Sequence, residues 1–338
     1  MPTPEKVLIT GGHEVGGVAS FAEGLAQGFT ALGIPSEVIP PSAILSRWRE
    51  LCDPSVLKIL STSAVLAAPM ARRAICIAHE TTRAYLQGFW KMVAVMVSFK
   101  LANACFGTQL VAVSDYVAIH LQTIFNVRID AVIRNPLRPL FLEAPAVCAQ
   151  NRCYITYVGR LEAIKNLHRL MPAICDLLDE TPGLRACIIG DGSQRARLES
   201  CANGDPRIEF KGTQGPESVR EWLRLSKVFV SGTPTEGLGI AYLEALSQGC
   251  AVAMPACGGG LEISLEEIGK SVQLLPLSFD RAGVLAALRR AIRSDATPIL
   301  TNEYGPQAVA ESFLKADSRF TPDGNFSMSR LVGFEATV

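Results

Sequence analysis

The sequence predicts an α/β protein of two domains in tandem, each a parallel sheet flanked by helices. Three observations carry this. A chain of 338 residues fits two domains at roughly 100–200 residues each, both long enough to bury a core. Short β-branched runs recur with amphipathic stretches between them, the pattern of βαβ units. The composition, 49% hydrophobic and only 19% charged, is what sheets buried on both faces require.

In the first half, KVLIT (6–10) reads as a strand running into a Gly-rich turn. The stretch VASFAEGLAQGFTALG (18–33) places Phe21, Leu25, Phe29 and Leu32 at helical spacing, with Gly33 as its stop before PSEVIP. Further strands are expected at AICIA (74–78) and LVAVS (110–114), with a long helix from about Tyr85 to Cys105. Together these form one Rossmann-like unit. The segment NPLRPLFLEAPAVCAQNR (135–152), with three prolines and no sustained period, suits a linker.

A second series begins at CYITYVGR (153–160). It continues through a helix over 167–178, strand RACIIG (185–190), helix SQRARLESCA, strand RIEFKG, helix ESVREWLRLS and strand VFVSG (228–232). Helix AYLEALSQG, strands AVAMP (251–255) and SVQLLP, and helix RAGVLAALRRAIRS complete it. The expected division is a first domain over 1–145, a second over 146–316 and a tail over 317–338 that returns to the first domain. A ligand cleft is expected between the domains, at the carboxyl ends of the strands.

Composition excludes several classes. Lys+Arg and Asp+Glu both number 32, for a net charge of +0, which argues against a nucleic-acid partner held by a broad basic field. The ten cysteines are scattered without a CxxC pair or zinc-ligand spacing, so reduced core thiols in a cytoplasmic protein are expected. MPTPEK leads straight into VLIT, with no signal-peptide pattern. The most apolar run, MVAVMVSF (92–99), is closed off by Lys91 and Lys100, short of the roughly 20 residues a spanning helix needs.

Four loops after expected strands carry residues that a sheet-to-helix turn does not need. In GGHEVGGVAS (11–20), glycines allow close backbone approach and the next helix N-terminus favours an anion. Its spacing is not GxGxxG, which weakens a dinucleotide reading, and a plain tight turn remains the alternative. In AHET (78–81), His79 at a strand end can donate to a phosphate or sugar hydroxyl or exchange a proton; a satisfied core histidine is the alternative. In GRLEAIKN (159–166), Arg160 and Lys165 could converge on one diphosphate or be an ordinary solvated pair. In SGTPTEGLGIAYLEALSQG (231–249), Glu236 precedes a helix and Glu244 lies eight residues later, so they do not form an i,i+4 pair. Two carboxylates flanking helix amides suit paired sugar hydroxyls beside a phosphate.

EGLGIAYLE resembles the E-x7-E motif of the retaining glycosyltransferases of GT-B fold, specifically glycosyltransferase family 4. The N-terminal GG loop, His79, LVAVSDYV, VIRNPLRPLF, YVGRLEAIKN, IIGDGSQRARLE, IEFKG and ALSQGCAVAMPACGGGLEI are similar to that family in order. The resemblance implies two Rossmann-like domains facing across a cleft. It assigns Arg160 and Lys165 to the donor diphosphate, Glu244 to the nucleotide ribose and Glu236 to hydroxyls of the transferred sugar. Gly16 and Gly17 would approach the phosphates from the first domain, and His79 would lie near the reacting centre. Amides around Leu238 and Gly239 would hold phosphate, and the segment from Phe210 to Thr213 would flank the base. Leu238 stands where the family usually has Phe, and Asn135-Pro136 where it has Asn-Gly.

The resemblance further implies a nucleotide-diphosphate sugar as donor substrate, no cofactor and a hydroxyl acceptor. No DxD motif occurs, so a divalent metal is not implied. A binding homologue without turnover and a sugar-nucleotide epimerase of the same fold are the alternatives. Net charge is +2 over residues 1–150 and −2 over the rest. Arg72, Arg73, Arg83, Trp90, Lys91 and Lys100 surround the apolar stretch of the first domain, which leaves open weak peripheral membrane contact against a plain buried helix.

Overall fold

The computed structural model describes residues 2–11, 17–79, 89–104, 108–143, 152–256, 258–265, 268–299 and 302–318. The first sheet holds β1 (Lys6–Thr10), β2 (Ser36–Ile39), β3 (Val56–Ser61), β4 (Ala74–Ala78), β5 (Gln109–Ala112) and β6 (Ala131–Val132), in the order β2-β1-β3-β4-β5-β6. Every pairing is parallel. Its helices are α1 (Gly17–Ala31), the short α2 (Trp48–Leu51), α3 (Phe89–Ala104) and α4 (Asp115–Phe125). A single turn, α5 (Pro139–Leu142), follows within the linker segment.

The second sheet holds β7 (Tyr154–Val158), β8 (Arg185–Ile189), β9 (Ile208–Gly212), β10 (Ser226–Val230), β11 (Ala251–Pro255) and β12 (Val272–Leu275), in the order β12-β11-β10-β7-β8-β9. Between them run α6 (Leu167–Glu180), α7 (Arg195–Ala202), α8 (Pro216–Arg224), α9 (Ile240–Ser247), α10 (Gly260–Ser264) and α11 (Arg281–Arg293). The last helix, α12 (Pro306–Ser318), packs on α1 of the first domain. The expected α/β architecture of two parallel-sheet domains is therefore present.

Local chemistry explains the boundaries. In α1, Phe21, Leu25 and Phe29 are buried as their spacing predicts. The expected strand 110–114 stops at Ala112, because Ser114 becomes the N-cap of α4, its Oγ accepting from the Val117 N–H. Asn126, in the left-handed conformation at φ 48, closes that helix. Asp280 caps α11 by accepting from the Gly283 N–H. The long helix expected from Tyr85 is α3 from Phe89 on; residues 85–88 and Cys105 lie outside the described residues.

Three strands of the first sheet, β2, β3 and β6, are absent from the sequence reading. β3, VLKILS, is central and buried at all six positions, yet Lys58 interrupts its apolar run. Lys58 is 0% exposed, and its ammonium reaches the strand's edge to donate to the Asp53 carbonyl.

Candidate functional site

In an open parallel sheet, ligands bind where the strand order reverses, beyond the carboxyl ends of the strands. In the second sheet that point lies between β7 and β10, and the loops after these strands carry Arg160, Lys165 and Glu236.

After β7 the chain turns at Gly159, and the Tyr157 hydroxyl donates to the Arg160 carbonyl at 2.9 Å. The Arg160 side chain is exposed and forms no ion pair among the described residues. A 3-10 turn over Ala163–Lys165 ends at Asn166, which is left-handed at φ 52. The Asn166 amide donates to the Gly232 carbonyl at 3.0 Å, fastening this loop to the one after β10. Lys165 Nζ then meets Glu236 Oε2 at 2.9 Å, both side chains partly exposed.

The Glu236 loop ends at Gly239, left-handed at φ 86, which caps α9. A Cβ there would overlap the Tyr242 ring, so the tight entry requires glycine. Leu238 is buried. Glu244 sits within α9 and is 7% exposed. Burial pushes its carboxyl up to about 7, against the opposing pull of the Arg138 charge.

His79 comes from the opposite domain, at the end of β4. Its ring lies edge-on to Phe21 with centroids 4.7 Å apart, and its Nε2 is buried with no hydrogen-bond partner among the described residues. Burial pushes its pKa down to about 4, so the ring is neutral at pH 7. Gly237 is pressed against the His79 backbone: a Cβ on Gly237 would overlap the His79 carbonyl oxygen. The glycine thus lets the Glu236 loop and the end of β4 meet across the cleft.

Gly17 opens α1, and among the described residues no heavy atom outside its chain neighbours and its own helix lies within 4 Å of the place its Cβ would take. Gly16 lies outside the described residues. Phe210 is half-buried on edge strand β9, packed against the core on one face of the second sheet. It stands two strands away from β7.

Arg138 had no part in the sequence reading. It lies between Pro136 and Pro139 of the linker segment, donates to Ser20 Oγ of α1 at 2.7 Å and pairs with Glu23 at 3.4 Å. Nothing local marks it, because its charge matters only once the linker has brought it beside α1 and α9. Among the described residues no group of three or more His, Cys, Asp or Glu side chains could hold a metal ion.

Comparison with known proteins bears on the fold. Residues 152–293 match the glycosyl transferases group 1 family. The sulfoquinovosyl transferase of Arabidopsis thaliana is 32% identical over 113 residues, 33% of this chain and 21% of that protein. The D-inositol 3-phosphate glycosyltransferase of Streptomyces coelicolor is 29% identical over 172 residues, 46% of this chain and 36% of that protein. The matches thus span little more than a third of those relatives at most. The crystal structure of Anabaena HepE in complex with UDP and glucose superposes with a TM-score of 0.72 at 15% identity, covering 93% of this chain and 99% of that one. The chain accordingly has the GT-B fold, and residues 152–293, within its second domain, are similar to the glycosyl transferases group 1 family.

Proposed function

We propose that the protein is a retaining, metal-independent glycosyltransferase of family 4. It moves a hexose-type sugar from a nucleotide-diphosphate donor to a hydroxyl acceptor: a glycan, a glycolipid or a lipid-linked saccharide. The observation that carries this reading is the meeting of Glu236, paired with Lys165, and the His79 segment of the opposite domain at Gly237. A nucleotide-binding site alone needs no such apposition.

Cleaving a sugar–phosphate bond builds negative charge on the leaving diphosphate. On this reading Arg160, Lys165 and the amides at the start of α9 stabilise it, an effect that often dominates catalysis. Lys165 pairs with Glu236; a diphosphate that takes the ammonium leaves the carboxylate to accept from sugar hydroxyls. Gly17 gives the phosphates room beside α1. Neutral His79 orients the transferred sugar as a hydrogen-bond donor. The acceptor oxygen attacks the anomeric carbon on the face the diphosphate leaves, the C–O bond to phosphate breaks, and a departing phosphate oxygen takes the acceptor proton. No separate base is required on this route. Glu244 receives the ribose hydroxyls, and the segment from Phe210 to Thr213 flanks the base.

HepE was crystallised with UDP and glucose, which makes UDP the first nucleotide to try. A ligand that binds only the folded protein raises its apparent melting temperature, so UDP, GDP and ADP are each added in a thermal-shift series. One of them is expected to stabilise the protein, and no shift with any sinks the reading. Product analysis then separates transfer from acceptor-free epimerisation or mere binding. Glu236→Ala and Lys165→Ala are each expected to remove transfer while leaving a folded protein. Near-wild-type turnover in either removes that residue from the mechanism.

The first domain supports a further expectation about the acceptor. Where α3 packs on the 3-10 segment Thr62–Met70, exposed Met70, Val97 and Leu101 lie on elements that also carry or adjoin exposed Arg72 and Lys100. Arg83 and the side chains of Trp90 and Lys91 lie outside the described residues. No helix among the described residues is long and apolar enough to cross a membrane. A lipid-linked acceptor at the inner face of a membrane suits this mixed surface. Co-sedimentation with anionic vesicles but not with neutral ones is the expected result, and equal recovery with both removes the membrane from the proposal.

A further inference from the structure

The two domains also touch beside the Glu236 loop, through residues with no part in the donor assignment. Helix α4 of the first domain begins at the cleft, and its first N–H groups have no partner within the helix. Glu262 of α10, in the second domain, supplies one. Its Oε2 accepts from the Asp115 N–H at 2.9 Å and its Oε1 from the Tyr116 N–H at 2.5 Å. A carboxylate at a helix N-terminus also meets the positive end of the helix dipole.

The residue before α4 makes the complementary contact. The Ser114 hydroxyl donates to the Gly237 carbonyl at 2.5 Å and is itself buried. Gly237 directly follows Glu236. Gly259 of the second domain completes the arrangement: its N–H donates to the Glu236 carbonyl at 2.9 Å. A Cβ on Gly259 would overlap the Gly237 carbonyl and crowd the Ser114 hydroxyl. Ser114, Gly237, Gly259 and Glu262 therefore form one clasp in which the backbone of the Glu236 loop is gripped from both domains.

We propose that Ser114 and Glu262 are positioning residues of the site, which clasp the second domain to the N-terminus of α4 and thereby hold the Glu236 loop against His79. This rests on the reading of Glu236 and His79 as the donor-sugar site. Neither residue need touch the substrate. The clasp acts on the fraction of molecules in which the two domains are together, and a ligand spanning both domains binds with an apparent affinity reduced by that fraction. Without the clasp, donor binding must do the closing, so the cost falls on donor affinity and not on the rate of the filled, closed enzyme.

The test uses the full chain with Glu262→Gln and Glu262→Ala. Glu262→Gln keeps the size of the side chain and guards against a variant that fails to fold. Two readouts are taken. X-ray scattering of the nucleotide-free protein should show a larger radius of gyration in Glu262→Ala than in the wild type, with Glu262→Gln between them. The KM for the nucleotide-sugar donor should rise on the order of tenfold in Glu262→Ala, with kcat within about twofold. Glu262→Asp should recover part of the loss. An unchanged radius together with an unchanged KM overturns the clasp, and so does a loss of kcat at constant KM. The scattering measurement needs no turnover. If the wild-type chain transfers no sugar while the Glu262 variants still open, the clasp stands and the glycosyltransferase reading fails.

Discussion

Glu244 illustrates how one side chain connects burial to ligand affinity. Its raised pKa means that the folded protein holds this proton more tightly than the unfolded chain. The stability it contributes is full below about pH 4.5 and is lost as pH rises through about 7. On the proposed assignment of Glu244 to the ribose, the ionised carboxylate is the better acceptor for its hydroxyls, so nucleotide affinity should rise with pH through about 7. Calorimetric titration between pH 5.5 and 8.5 should show the rise in the wild type and a flat profile in Glu244→Gln; parallel profiles would separate Glu244 from the ribose. His79 acts in the opposite sense. Its lowered pKa removes stability as pH falls from about 6.5 through about 4. At Gly237 the constraint is steric, and Gly237→Ala should cost at least tenfold in turnover with little change in thermal stability, because the added Cβ displaces the Glu236 loop and not the core. The strand-end positions of Arg160, Lys165, Glu236 and His79 were legible in the sequence, since each follows a recognisable strand. The link between Ser114, Gly237 and Glu262 was not: its partners lie 123 and more residues apart, and no local pattern records such a pairing.

At the scale of elements, the alternation of β-branched and amphipathic runs located eleven of the strands and helices of the second domain within a residue or two, because parallel strands buried on both faces leave near-continuous apolar signals. β3 escaped for a physical reason. A lysine in an apolar run reads as the end of a strand, and only the folded structure shows Lys58 extending to the Asp53 carbonyl. Burial lowers the Lys58 pKa to about 8, so keeping it charged at pH 7 costs stability that is recovered as pH rises from about 8 toward the ordinary lysine value. Lys58→Met should therefore stabilise the protein by on the order of 1–3 kcal/mol at pH 7. Denaturant titration checks this, and a destabilised variant would mean that the bond to Asp53 outweighs the desolvation.

At the scale of the molecule, the second domain does not end the fold. Helix α12 lies against α1, and its Asp317 forms a buried ion pair with Arg73, while Arg73 also donates to the Pro2 carbonyl at 2.7 Å and the Pro54 carbonyl at 3.2 Å. Removing one partner of a buried pair strands the other charge. Asp317→Ala should cost about 2–4 kcal/mol of unfolding free energy, softened by the two carbonyls that remain. Equal stability of variant and wild type would show that those carbonyls satisfy Arg73 alone.

The return of α12 bears on the order in which the protein is made. The chain crosses between domains once near Asn135, buried beside α1, and again near Tyr304, whose carbonyl accepts from the Leu137 N–H at 2.7 Å. The side of α1 that α12 covers, at Phe21 and Gly28, thus waits for its partner until the second domain has been synthesised, an interval on the order of ten seconds or more at ribosomal rates of about 5–20 residues per second. During that interval the first domain is a nascent fold with an uncovered flank, so translation speed and chaperone access, and not only the final contacts, decide its yield.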